Sequence, residues 1–187
     1  MSAPHVNAPD ANAPDVQGPG RILTHQSAAG AVDIGPLRSA QFDDLFVSFA
    51  DAVARGDGYP QRPPLTRSEF DDVWLRPTSA VIGAWGPDGF LGAYYLKPNG
   101  PGLASHIANA GYLVARHARR RGLARLLVAD SIERASSLGF DAIQFNFVFA
   151  DNPARPLYEE LGFRVIGEIP DGVGPGRNAV IYWRALR

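Results

Sequence analysis

The stretch from Ala108 to Phe149 constrains this chain more than any other. It runs as an apolar, strand-like segment "ANAGYLVAR", an arginine-rich turn, a long helical pattern and a second apolar run, "AIQFNFVF". Within the helical part Ala124, Leu127, Val128, Ile132, Ala135 and Leu138 follow one another at steps of three, one, four, three and three until Gly139, the rhythm of one buried helix face. A strand, a crossover helix and another strand, preceded by hairpin-like strands, indicate an α/β (α+β) fold: a mixed central sheet flanked by helices.

The flanking segments fit that frame. Phe42, Leu45, Phe46, Phe49 and Val53 form an amphipathic helix face with Gly56 as its stop. "GDGYPQRPPLT" is a loop rich in breakers. Thr66, with Glu69 three residues on, reads as a capping box opening a second helix. "SAVIGAW", the turn "GPDG" and "FLGAYYL" read as an antiparallel hairpin. After the crossover come a short helix, "PARPLYEEL", and a last strand, "AVIYWRAL".

With 187 residues, 45% of them hydrophobic, the chain is long enough for one core and short for two. A single domain over residues 21–187 is expected. Before it, "APHVNAPDANAPDVQGPG" repeats Asn-Ala-Pro-Asp and carries too little apolar surface to offset the entropy of ordering it, so a disordered tail is expected over residues 1–20. The formal net charge is -1, which recruits neither nucleic acid nor an anionic membrane and favours a small soluble partner. The absence of cysteine removes disulfides, thiol nucleophiles and thiolate metal sites, and suits a reducing cytosol; a cytoplasmic location is expected. No apolar run approaches the ~20 residues that span a bilayer, and the amino terminus lacks a signal pattern. Lys97 is the sole lysine against 17 arginines and reads as compositional bias.

The turn "RRRGLA" carries the first chemical signal. A helix start exposes unpaired N–H groups and the positive end of the dipole, which together hold phosphate. Gly122 lets the backbone approach such an anion, and Arg119, Arg120 and Arg121 add positive charge. A diphosphate-bearing cofactor is implied, against the plainer reading of a solvated basic turn. Neither a G-x-G-x-x-G nor a G-x-x-x-x-G-K-[ST] is present, which argues against a Rossmann site and a P-loop.

"YLVARHARRRGLARLL" resembles the acetyl-coenzyme A motif of the GCN5-related N-acetyltransferase (GNAT) superfamily, an Arg or Gln, two residues, Gly, one residue, then Gly or Ala. Arg119, Gly122 and Ala124 fill those places. "NPARPLYEELGF" resembles a second motif of the superfamily, a helix-opening Asn with a Tyr six or seven residues later before Leu-Gly-Phe. The resemblance spans roughly residues 33–187 and implies the GNAT fold, in which two parallel strands splay apart around the pantetheine arm of acetyl-CoA. It implies cofactor contacts from Leu113, Val114, Arg119, Arg120, Arg121, Gly122, Leu123, Ala124, Asn152 and Tyr158. Asn152 would cap the short helix and reach the cofactor; Tyr158 would be the general acid to the departing thiolate, the competing reading being a core tyrosine bonded to a backbone carbonyl. Pro156 is expected to disturb the start of that helix.

"YYLKPNGPGLASHIANAGYLV", "AIQFNFVFADN" and "GFRVIGEIP" are further similar to the branch containing the yeast azetidine-2-carboxylate and cis-4-hydroxyproline N-acetyltransferases. That likeness implies Asn109 and Asn146 as inward-facing substrate residues, and an amino or imino acid as acceptor; for Asn146 an inward bond to backbone is the alternative. Tyr59 is a candidate lid residue, and Trp74 and Trp85 are expected in the core or an interface. His106 and His117 are minor candidates for proton acceptance, and Asp151 for assistance through water. No metal is expected, since neither histidine has partners at ligand spacing. Homodimers are common in the family. Two other functions fit the sequence: acetylation of a peptide or protein amino terminus, which needs an open groove, and a coenzyme A binding or sensing module without turnover.

Overall fold

The computed structural model describes residues 22–28, 30–38, 41–76, 78 and 80–187. The expected tail over residues 1–20 lies outside them. Among the described residues, eight strands form one mixed sheet in the order β1-β2-β3-β4-β5-β6-β8-β7. β1 (Leu23–Ser27) and β2 (Gly30–Pro36) make an antiparallel hairpin at one edge. β3 (Ala80–Gly86), β4 (Gly89–Pro98) and β5 (Ile107–Val114) continue the antiparallel order. β6 (Ala142–Phe149) lies parallel to β5, and β8 (Ala179–Ala185) runs antiparallel between β6 and the far edge strand β7 (Arg164–Ile169).

The first hairpin and β7 are strands that periodicity did not delimit. β1 alternates half-buried and exposed residues over only five positions, and β7 has exposed Val165 and Ile166. Edge strands contribute one face or less to the core, so their apolar signal is faint.

Among the described residues, four α-helices cover the sheet: α1 (Phe42–Ala54), α2 (Arg67–Trp74), α3 (Leu123–Ser137) and α4 (Arg155–Glu160). α1 ends before Gly56, whose φ of +67° suits glycine. The capping box of α2 is formed: Thr66 Oγ1 accepts from the Glu69 N–H at 3.2 Å, and the Glu69 carboxylate accepts from the Thr66 N–H at 2.8 Å. Pro156 does not disturb α4. The helix opens one residue after Ala154, so Pro156 falls in the first turn, where its missing N–H costs no intrahelical bond.

β4 and β5 carry the core on both faces. Tyr94 and Tyr112 point to α3, where the Tyr94 hydroxyl donates to Asp130 at 2.5 Å and the Tyr112 hydroxyl meets Ser131 Oγ at 2.7 Å. Tyr95, on the opposite face, packs its ring 5.3 Å from Trp74 of α2, which in turn lies 5.7 Å from Phe49 of α1. Trp74, Tyr94 and Phe49 are fully buried, each burial worth about 1.5–3 kcal/mol or more. Trp74 is a core residue as expected, and Trp85 is partly buried against the same core.

The helical periodicity of α3 concealed a buried ion pair. Arg134 Nε donates to Asp130 at 2.7 Å, with both side chains nearly inaccessible. Among the described residues, no helix is long and apolar enough to cross a membrane.

Candidate active site

The parallel ladder between β5 and β6 is only three pairs long, Ile107–Ala142, Ala108–Ile143 and Asn109–Gln144. Beyond it the strands part. Asn109 stands at the vertex: its side-chain N–H donates to the Gln144 carbonyl of β6 at 3.0 Å, and its oxygen accepts from the Tyr95 hydroxyl at 3.3 Å. An amide with one donor and one acceptor in use ties the ends of the two strands together just where backbone pairing stops.

Two cavities open along this gap. The larger, about 780 Å³, is lined by Leu113 and Val114 of β5, by Arg119, Arg120, Gly122, Leu123, Ala124 and Arg125, and by Asn152, Ala154, Leu157 and Tyr158 around α4. The smaller, about 350 Å³, lies over the face that carries Tyr95, Lys97 and Asn109, and is also lined by Tyr59, Gln61, Asn146 and Phe147. Asp57, Gly58, Tyr59, Tyr112, Asn152 and Tyr158 belong to both walls.

The floor of the larger cavity suits a phosphate. Gly122 caps α3 with φ +79° and has no side chain to bond into the first turn. A Cβ built on Gly122 would meet nothing within 4 Å, so the N–H groups of that turn stand open to an anion. The three arginines divide. Arg119 donates to Asp57 at 3.0 Å, and Arg120, at φ +62°, makes no ion pair among the described residues while lining the cavity. Arg121 does not line it, in contrast to the sequence-based expectation: its guanidinium pairs with Asp88 in the β3–β4 turn at 2.9 Å. In a tight turn with a left-handed residue, successive side chains diverge, and the nearby carboxylate draws Arg121 away.

Tyr59 and Tyr158 approach the junction of the cavities from different elements. Tyr59 packs its ring 4.7 Å from Phe49 of α1, and its hydroxyl donates to the Tyr112 carbonyl at 2.6 Å, satisfying a β5 acceptor that β6 no longer reaches. Burial pushes its phenol well up. Tyr158, 8% exposed, is held among Tyr112, Phe145, Phe163 and Tyr182. Its hydroxyl makes no hydrogen bond among the described residues, unlike a core tyrosine tied to a carbonyl. Burial, then the nearby Tyr182, pushes its pKa to about 12. Asn152 does not cap α4 as expected, since the N-cap is Ala154 with no side-chain cap bond; its Oδ1 accepts from the Ala154 N–H at 2.8 Å and fixes the turn before the helix.

Asn146 reaches the smaller cavity by a different route from the one expected. Phe145 pairs with Tyr182 and Val148 with Val180, so β6 carries one extra residue there. That bulge re-aims Asn146. It is exposed, donating to Asn99 at 2.6 Å and accepting from Gln144 at 2.8 Å, with no bond to backbone. His106 is exposed, bonded to the Leu103 carbonyl at 2.7 Å and absent from both walls; His117 is exposed in the 3-10 turn before Arg119. Asp151 is exposed on the wall of the larger cavity, 3.3 Å from Arg177. Among the described residues, no three His, Asp or Glu side chains gather as a metal site.

Tyr95, Lys97, Gln61 and Tyr112 are wall residues that sequence reasoning did not name as part of a site. The signal for two of them was the antiparallel register of β4 and β5, which sets Lys97 opposite Asn109 and Tyr95 opposite Gly111. Cross-strand partners share a face.

Comparison with known proteins agrees with this geometry. Residues 45–163 match the acetyltransferase (GNAT) family model. The chain is 33% identical over 136 residues to the N-acetyltransferase aca1 of Schizosaccharomyces pombe, a match covering 64% of this chain and 65% of that protein, just under two thirds of its length. A solved structure of a GCN5-related N-acetyltransferase from Kribbella flavida is 32% identical, superimposes with a TM-score of 0.75, and is covered over 97% of its chain by 82% of this one. A GNAT superfamily phosphinothricin acetyltransferase from Sinorhizobium meliloti, solved in complex with acetyl-CoA, shares the fold at 16% identity with a TM-score of 0.72, over 82% of this chain and 88% of that one. Sequence match and splayed sheet lead to one conclusion: this chain belongs to the acetyltransferase (GNAT) family.

Proposed function

We propose that this protein moves the acetyl group of acetyl-CoA directly to the amine of a small molecule, with the Tyr158 hydroxyl donating a hydrogen bond to the leaving sulfur. The observation that carries this reading is that Tyr158 and Asn152 line both cavities, one floored by the Gly122 turn and the other walled by Asn109 and Asn146. Acetyl-CoA would lie in the larger cavity, its diphosphate on the α3 N-terminus beside Arg119 and Arg120, its arm along the unpaired edge of Leu113 and Val114. A neutral amine attacks the thioester carbonyl carbon, a C–N bond forms, the C–S bond breaks, and its electron pair leaves on sulfur. The amine loses a proton to solvent.

A phenol with its pKa near 12 stays protonated across the neutral range, as a donor must. A thiolate is a weaker base than that tyrosinate, so Tyr158 acts chiefly by hydrogen-bonding the sulfur as charge develops. The smaller cavity, about 350 Å³, favours a small acceptor over an amino-terminal peptide; an amino or imino acid, the acceptor of the branch this sequence resembles, falls in that class.

The test is coenzyme A release from acetyl-CoA over a panel of amino acids, cyclic imino acids, polyamines and amino-terminal peptides. Turnover of small amines is expected, with kcat reduced roughly a hundredfold or more in Tyr158→Phe while the KM for acetyl-CoA holds. Full turnover in Tyr158→Phe would remove the proposed donor, and turnover of peptides alone would replace the acceptor class.

A further inference from the structure

Lys97 is the only lysine of the chain, and it lines the smaller cavity. It stands on β4 opposite Asn109, with its ammonium 4.6 Å from the centre of the Tyr95 ring and donating to the Val73 carbonyl of α2 at 3.3 Å. That uses one of its three N–H donors. It makes no ion pair among the described residues, and burial lowers its pKa without a carboxylate to offset the shift.

The carboxylates on the same wall are Asp57 and Asp72, and both are already engaged. Asp72 pairs with Arg76 at 2.8 Å. Asp57 takes Arg55 at 2.8 Å and Arg119 at 3.0 Å; burial pushes its carboxyl up, and those two guanidinium bonds more than reverse the effect. No arginine lines this cavity, so Lys97 is its one cation among the described residues. A half-buried ammonium with no counter-charge is costly, and proteins supply such a group with a partner.

We propose that Lys97 is the residue that selects the acceptor, by binding a carboxylate carried beside the amine. The unpaired cation takes the acid group, and Tyr158 stands where the thioester would meet the amine. A polyamine is disfavoured in the same cavity by the charge of Lys97. This inference rests on the acetyl-transfer reading above and names the residue that selects its acceptor.

The test compares each acid with the same amine lacking the carboxylate: L-proline with pyrrolidine, L-alanine with ethylamine. Wild type is expected to prefer the acids. In Lys97→Met the acid-to-amine ratio of kcat/KM should fall roughly tenfold to a hundredfold through the acid's KM, and Lys97→Arg should restore part of it. An unchanged ratio in Lys97→Met, or a wild type that prefers the carboxylate-free amines, overturns the proposal. If wild type acetylates nothing, the transfer reading fails separately, and calorimetry of L-proline and L-alanine on the coenzyme A-loaded protein decides this one. Binding that disappears in Lys97→Met upholds the carboxylate site; binding equal in both, or none in either, overturns it.

Discussion

The two cavities along the β5–β6 gap are built by different means. The larger relies on backbone: a left-handed Gly122, the open first turn of α3, and the unpaired edge of Leu113 and Val114. The smaller relies on side chains gathered from the segment after α1, from α2, from β4, β5 and β6, and from around α4. Backbone geometry at one turn is written in a few adjacent residues, whereas a wall drawn from six segments exists only once the sheet has formed. A donor common to a family suits the first design, and an acceptor that differs between members suits the second.

Substitutions that act on one cavity alone would break or sharpen this contrast. The largest effect is expected from Gly122→Ala. Its left-handed φ penalises any Cβ by about 1–2 kcal/mol, and the Cβ would stand on the open approach to the turn, so the KM for acetyl-CoA should rise roughly tenfold with the acceptor's KM held. Steady-state kinetics with each substrate varied would check it, and an equal rise in both constants would mean that the cavities are not separable. A smaller effect is expected from Gly111→Ala. Its Cβ would fall 2.6 Å from the Tyr95 ring, displacing the ring and its bond to Asn109, a loss of about 1 kcal/mol, or roughly fivefold in the acceptor's KM; an unmoved acceptor KM would count against Tyr95 as part of the wall. The least change is expected from Arg121→Ala, since an exposed pair such as Arg121–Asp88 is worth about 0–1 kcal/mol. Its KM for acetyl-CoA should move less than about twofold, and a rise matching that of Arg120→Ala would restore Arg121 to the cofactor site.

The same division explains what the sequence made legible. The crossover unit, the α2 capping box and the Gly122 turn are local, and each was read within a residue or two of its place. The direction of Arg121 was not legible, because it depends on Asp88, 33 positions away. Nor was the bulge that turns Asn146 outward, which is defined only by the register against β8. Lys97 looked like an accident of composition until β4 was paired with β5. The buried Asp130–Arg134 pair was hidden for a related reason: periodicity counts apolar residues, and a charged pair buried one helical turn apart leaves the count unchanged.

The three-pair ladder between β5 and β6 has one more consequence. An unpaired strand edge is ordinarily a hazard, because a neighbouring chain can add to it. Here the edges face each other inside the sheet, with β4 bonded behind one and β8 behind the other. The protein thus keeps a slot for one missing strand in the middle of an otherwise continuous sheet. What fills it must be slender, extended and able to exchange amide hydrogen bonds, a shape that another folded chain does not present and a linear amide-bearing arm does.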